Sequence, residues 1–156
     1  MCPHKVSDAP GVLVFPPALF AGTLILGLVL HWLRPVSLLP PLPARLAGLV
    51  VLALSWWLVH SAEAAMKRAE PTCDQTSRAW RSTDGPFHFS RNPMYLATTG
   101  LYLGLTLLVN TAWPLIPLSP MLLVLHWGVV RSEERYLEAK FGEPYRDYKS
   151  RVRRWV

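Results

Sequence analysis

Charge is scarce in this chain, and its absence falls in blocks. Of 156 residues only 17% are Asp, Glu, Lys or Arg, against 51% hydrophobic ones, and the mean hydropathy is +0.24. A soluble domain carries about 25% charged residues. The deficit lies in four stretches, Val14–Leu33, Leu46–Met66, Met94–Val109 and Leu115–Val130, which hold almost no charge. A helix needs about 20 apolar residues to cross the roughly 30 Å hydrocarbon layer. The first two runs meet that length, while the third is shorter and the fourth is interrupted by proline. Cysteine is nearly absent too. Cys2 and Cys73 stand alone, with no CxxC or Cys/His spacing, which excludes a disulfide framework and a zinc site. The first run also lacks a small-x-small cleavage site and is followed by His31-Trp32-Leu33-Arg34, so it reads as a retained span and not as a secretory signal.

The charge that remains is mostly basic, with a net value of +6 and a pI near 9.7. Its placement argues against nucleic acid. Five basic residues, from Lys67 to Arg91, lie between the second and third runs. Eight more, from Arg131 to Arg154, lie after the fourth. The turn between the third and fourth runs has none. This is the positive-inside pattern. With four spans it places both termini and the 67–93 loop in the cytoplasm, where the basic excess meets anionic lipid head groups. The expected architecture is therefore an all-α integral protein of the inner (cytoplasmic) membrane with about four transmembrane helices. Residues 1–66 supply the first two spans, 67–93 a cytoplasmic loop, and 94–156 the last two spans and a tail.

Proline and glycine punctuate this plan. Pro35 to Pro43 is too proline-rich for a helix and forms the first outer turn, after which the second span runs from about Ala44 to Met66. Asp84-Gly85-Pro86 reads as a turn, and Pro93 suits the first turn of the third span. Gly100 and Gly104 form a GxxxG, which serves helix packing or, alternatively, a passage for a ligand tail. Pro114, Pro117 and Pro120 predict irregular structure up to about Pro120, then a regular helix. No stop follows Val130, so that helix should protrude from the bilayer until Gly142 and Pro144, carrying Glu133 and Glu134 about one turn outside. Tyr145, Tyr148, Val152 and Trp155 then recur at helical spacing with basic residues between them. They predict an interfacial helix, aromatic toward lipid and basic toward phosphate.

Two polar groups stand at the cytoplasmic edges of the apolar runs. Arg91, Asn92 and Tyr95 enter the third span, and Glu133 and Glu134 leave the fourth. A short turn joins those spans, so they should pack antiparallel and bring the groups to one depth. Adjacent carboxylates beside arginines suit a cationic or polyhydroxyl ligand, since a carboxylate accepts ribose hydroxyl hydrogen bonds or faces an amine. Snorkelling Arg and exposed Glu at helix ends explain the same residues equally well.

Residues 82–96, STDGPFHFSRNPMYL, and 133–148, EERYLEAKFGEPYRDY, resemble the isoprenylcysteine carboxyl methyltransferase and phospholipid methyltransferase family. The pattern is G-P-Y/F…R-H/N-P-x-Y, a span and a hairpin, then E-E-x-x-L…F-G-x-x-Y…Y. It extends over roughly residues 64–154. The resemblance implies S-adenosylmethionine as methyl donor in a pocket on the cytoplasmic side of the last two spans. By motif, Phe87, Asn92, Pro93, Met94 and Tyr95 line that pocket, Glu133 holds the adenosyl or amino-acid part, and segment 79–83 covers it. Two departures matter. Asn92 replaces the commoner histidine and cannot titrate. Val129 stands where the prenylcysteine enzymes place an arginine for the substrate carboxylate, with Arg131 offset by two. An amine or thiol acceptor would have to lose a proton, for which Glu63, Glu134 and His60 are candidates. The catalytic set expected from the sequence is Glu134, Arg131 and Glu63. The membrane setting implies a lipid-like or small apolar acceptor, with membrane lipids as the surroundings. An NADPH-dependent sterol or enone reductase is an alternative, though such enzymes are larger and lack the Glu-Glu pair. A non-enzymatic four-span protein is another.

Overall fold

The computed structural model describes residues 15–69 and 85–155. Cys2, Cys73 and segment 79–83 lie outside them. All regular elements among the described residues are helical: α1 (Pro16–Leu33), α2 (Pro41–Ala69), α3 (Pro93–Val109), α4 (Leu115–Val124), α5 (Arg131–Phe141) and α6 (Glu143–Arg151), with a short 3-10 turn at Gly85–His88. Three helical stretches are long and apolar enough to cross a membrane, Pro16–Leu33, Pro41–Arg68 and Leu115–Phe141. The protein itself buries only 11%, 17% and 28% of their apolar windows. Side chains such as Ile25, Leu49, Leu54, Trp57 and Leu123 are left facing outward, a surface that water would not tolerate. The remaining apolar helix, α3, has 17 residues and a length of about 25 Å.

Helix α3 packs along α2. A Cβ on Gly48 would meet Leu108 N at 2.8 Å, one on Gly104 would meet Leu52 Cγ at 2.7 Å, and one on Gly100 would meet the Ser55 side chain. The partner numbers fall along one helix as they rise along the other, so the pair is antiparallel. Glycine here removes the bulk that would hold the backbones apart. Gly100 and Gly104 are thus packing residues, and α2 closes the alternative passage for a ligand tail.

The fourth run meets α3 through side chains. Tyr102, with Phe20 of α1, joins Leu118, Met121, Leu125, Val129 and Val130 in one buried cluster. The Tyr102 hydroxyl donates to Pro114 O at 2.7 Å. Prolines do not delay this helix, as α4 begins at Leu115 with Pro120 inside it. Its regularity fails further on, where Leu125–Val130 forms a π turn before α5 continues. A π turn adds one residue relative to an α-helix and rotates everything beyond it by about 100°. Glu133 and Glu134 sit on the rotated part.

The turns before α2 and after α3 are locked together by Asn110. It ends α3 in the left-handed conformation (φ 57°), which asparagine tolerates. Its Oδ1 accepts from Leu38 N and Leu39 N, both at 3.1 Å, and its Nδ2 donates to Leu39 O at 2.7 Å. Asn110→Ala should lose all three bonds and strain the backbone, at a cost of about 2–4 kcal/mol at about 1 kcal/mol per bond. Asn110→Gly keeps the conformation and should lose less. Thermal melting of both variants in detergent checks this order.

The tail corrects one expectation. The face carrying Tyr145, Tyr148 and Val152 is buried against Leu137 and Phe141 of α5, not turned to lipid. Gly142, at φ 61°, lets the chain reverse between α5 and α6, so the two amphipathic helices cover each other's apolar stripes. Their polar sides meet outside, where Glu138 accepts from Arg146 Nε and Lys149 Nζ, each at 3.1 Å. Helix α6 stops at Arg151, and Trp155 packs against the main cluster.

Candidate functional site

At the end of α3 opposite Asn110, the chain arrives through Ser90, Arg91 and Asn92 and turns into the helix at Pro93, which is buried at its first position. Proline suits that position because its fixed φ matches the helix and its missing N–H has no partner to lose. One turn on, the Tyr95 hydroxyl donates to Glu133 Oε1 at 2.8 Å. Next to it Glu134, only 7% exposed, is held by two guanidinium groups. Arg154 donates through Nε to Oε1 (2.9 Å) and through Nη2 to Oε2 (2.7 Å). Arg91 brings Nη1 to 3.1 Å of Oε1. That approach satisfies charge attraction but not hydrogen-bond direction, and Nε of Arg91 is buried with no hydrogen-bond acceptor among the described residues. The two groups singled out in the sequence therefore converge. Adjacent residues of a helix point about 100° apart, so Glu133 meets α3 while Glu134 meets Arg91 and the segment after α6.

Burial pushes the Tyr145 hydroxyl up to about 12, helped by the negative charge of Glu134 and opposed by Arg91, which also reaches it. Tyr148 is likewise pushed up to about 12, by burial and by Tyr145 beside it. Both stay neutral at ordinary pH, and the Tyr148 hydroxyl donates to Phe87 O at 2.9 Å. Arg154 is raised by its bonds to Glu134.

The other sequence-derived residues are placed as follows. Asn92 donates from Nδ2 to Arg154 O at 3.1 Å and caps no helix N–H with its side chain. Phe87 and Met94 are half-buried at the approach to α3 and in its first turn. Glu63 faces His60 and Lys67 on its own helix, each at 4.0 Å, and Trp56 meets His60 edge-on. Arg131 is exposed with its guanidinium over the Trp127 ring, 4.7 Å from the centroid. Val129 is fully buried in the core. Glu63 and Arg131 thus have their charged ends engaged away from the Glu133–Glu134 cluster.

Sequence reasoning missed Arg154, Ser90, His126 and Trp155. Arg91 N donates to Arg153 O at 3.0 Å, and Ser90 Oγ to Arg154 O at 3.4 Å. Trp155 stacks on His126, which lies in the π turn, and aims its Nε1 at His126 Nδ1 from 3.4 Å. The signal was the helical spacing of Val152 and Trp155, which was read as a lipid-facing stripe.

The phospholipid methyltransferase family matches residues 43–144, well over half of the chain. The chain belongs to that family. Membership makes it one of a group of membrane methyltransferases, in keeping with three helices long and apolar enough to span. The matched region runs from α2 to the start of α6 and includes Arg91, Tyr95, Glu133 and Glu134. An uncharacterized protein of Haemophilus influenzae is 38% identical over 63 residues, which is 40% of this chain and all of that protein. No solved structure matches.

Proposed function

We propose that the chain transfers a methyl group from S-adenosylmethionine to a lipid-like or small apolar acceptor at the boundary between membrane and cytoplasm. The observation that carries this reading is the pairing of unused donors and acceptors around Arg91 and Glu133. Among the described residues Arg91 keeps its buried Nε without a hydrogen-bond acceptor, while its Nη1 faces Glu134, and the Glu133 carboxylate has one side-chain partner, Tyr95. A methionine-derived nucleoside fits that set, since its carboxylate accepts while its ammonium and ribose hydroxyls donate. Buried polar atoms without partners are uncommon in folded proteins and call for a ligand or water. Bound there, the donor would supply an electrophilic methyl on a positively charged sulfur.

The chain's own residues then have separable tasks. Glu133 attracts the cation, and Tyr95 fixes the orientation of its carboxylate. Arg91 offers N–H groups to the ligand's carboxylate. Glu134, with both oxygens facing guanidinium groups, holds Arg91 in place. Phe87, Asn92, Pro93 and Met94 shape the approach to α3. Glu63 and His60 on α2, with Glu134, are the candidates to take a proton from an acceptor. Arg131, on the outward face of the fourth helical run, would meet an anionic part of one. In this reading α3 is a fourth span, the site faces the cytoplasm, and the acceptor enters sideways from the bilayer. Most of the rate then comes from alignment and exclusion of water.

Calorimetric titration of the detergent-purified protein with S-adenosylhomocysteine, with NADPH in parallel, tests the reading. Saturable binding of the former alone is the expected result. Binding of NADPH alone would move the chain to reductase chemistry, and binding of neither would remove the methyl-donor site.

A further inference from the structure

We propose that the non-helical segment Val152–Trp155 is a strap that assembles the site, with Arg154 as a positioning residue acting through Glu134. The inference rests on the methyl-donor reading above. The two halves of the site belong to elements distant in sequence, the loop entering α3 and the start of α5. The strap fastens both. Its main chain accepts from Arg91 N through Arg153 O, and from Ser90 Oγ and Asn92 Nδ2 through Arg154 O. The Arg154 side chain grips the Glu134 carboxylate with two parallel N–H bonds of 2.9 and 2.7 Å. Trp155 anchors the far end on His126 and the main cluster.

A two-point grip fixes both the position and the plane of a carboxylate, which a single contact from Arg91 does not. With Glu134 held this way, the strap satisfies most of its charge. Arg91 can then keep its buried Nε–H for a ligand, and Glu133 remains the carboxylate that meets a cation. The charged and titratable groups around Glu134 are Arg91 from the loop, Arg154 from the strap, Tyr145 from α6 and Glu133 on its own helix.

The test is a double-mutant cycle on the full chain in detergent, reading the dissociation constant for S-adenosylhomocysteine. The variants are Arg154→Gln, Glu134→Gln and the double replacement, with melting temperature followed in each. Each single change should weaken binding by roughly tenfold or more, and the double should be no weaker than the worse single, because one interaction is removed twice. Arg154→Lys, which keeps the charge but not the fork, should recover part of the loss. If Arg154→Gln does not fold, the double variant and Arg154→Lys carry the comparison with Glu134→Gln. Unchanged affinity in Arg154→Gln would overturn the proposal, as would losses that multiply in the double. Failure of the unaltered protein to bind would overturn this inference and the methyl-donor reading together. Normal binding with unaffected variants would overturn the strap alone.

Discussion

Glu133→Gln should weaken binding of S-adenosylmethionine by about 100-fold while leaving the fold close to intact. Removing one member of a hydrogen-bonded charge contact in a desolvated site costs about 2–5 kcal/mol. Each 1.4 kcal/mol is about a factor of ten. Folding should suffer much less. Among the described residues Glu133 makes one side-chain bond, with Tyr95, and an amide oxygen can still accept it, so the cost to stability is about 1 kcal/mol or below. The ratio of two affinities adds a second readout. The methylated donor carries a positive sulfur that S-adenosylhomocysteine lacks. If Glu133 faces that sulfur, the methylated donor should lose more than the demethylated product does. If it faces the ribose or the ammonium, both should lose equally. Tyr95→Phe removes the bond that orients the carboxylate but leaves the charge, so a smaller loss of roughly fivefold to tenfold follows. Calorimetry on these variants with both ligands checks the set, and unaltered affinity in Glu133→Gln would take the carboxylate out of the site.

Much of this arrangement was legible in the sequence because membranes impose simple rules. Runs of apolar residues must become helices, as lipid offers backbone groups no partner. Proline at position 93 and glycine at position 142 mark a helix start and a chain reversal, and both stand there in the structure. The convergence of Arg91 and Tyr95 with Glu133 and Glu134 followed from two helix ends meeting at one depth. What escaped the sequence depends on long-range packing. The π turn at Leu125–Val130 has no local signature in a run of apolar residues, yet it turns Glu133 and Glu134 by about 100° relative to a regular helix. The stripe of Tyr145, Tyr148 and Val152 fits lipid and protein equally well, because periodicity reports an apolar face and not what covers it. Leu137 and Phe141 cover it here. Arg154 looked like one more basic residue of a cytoplasmic tail, since charge counts do not say which arginine turns inward.

Large effects on stability should also come from the glycines between helices, far from the polar cluster. A Cβ on Gly27 would lie 2.6 Å from Pro114 Cα and 2.7 Å from Pro114 N. On Gly48 it would lie 2.8 Å from Leu108 N and 3.0 Å from Gly104 O. The obstructing atoms are backbone, so no rotamer change relieves them. At Pro114 the chain is also pinned by the Tyr102 hydroxyl. Gly27→Ala and Gly48→Ala should therefore each cost about 3 kcal/mol, the upper part of the range for overpacked cores. Gly22 supplies the contrast, as its Cβ would meet nothing within 4 Å. Gly22→Ala should be neutral or stabilising by up to about 1 kcal/mol, from helix propensity alone. Melting temperatures in one detergent would order the three variants. Ligand affinity of the protein that remains folded separates scaffold from site. Gly48 lies near the end of α3 away from Arg91 and Tyr95. If its substitution lowers the melting temperature without changing the dissociation constant, α2 and α3 serve the site by holding its position. If affinity falls too, the crossing of these helices sets the spacing between Tyr95 and Glu133.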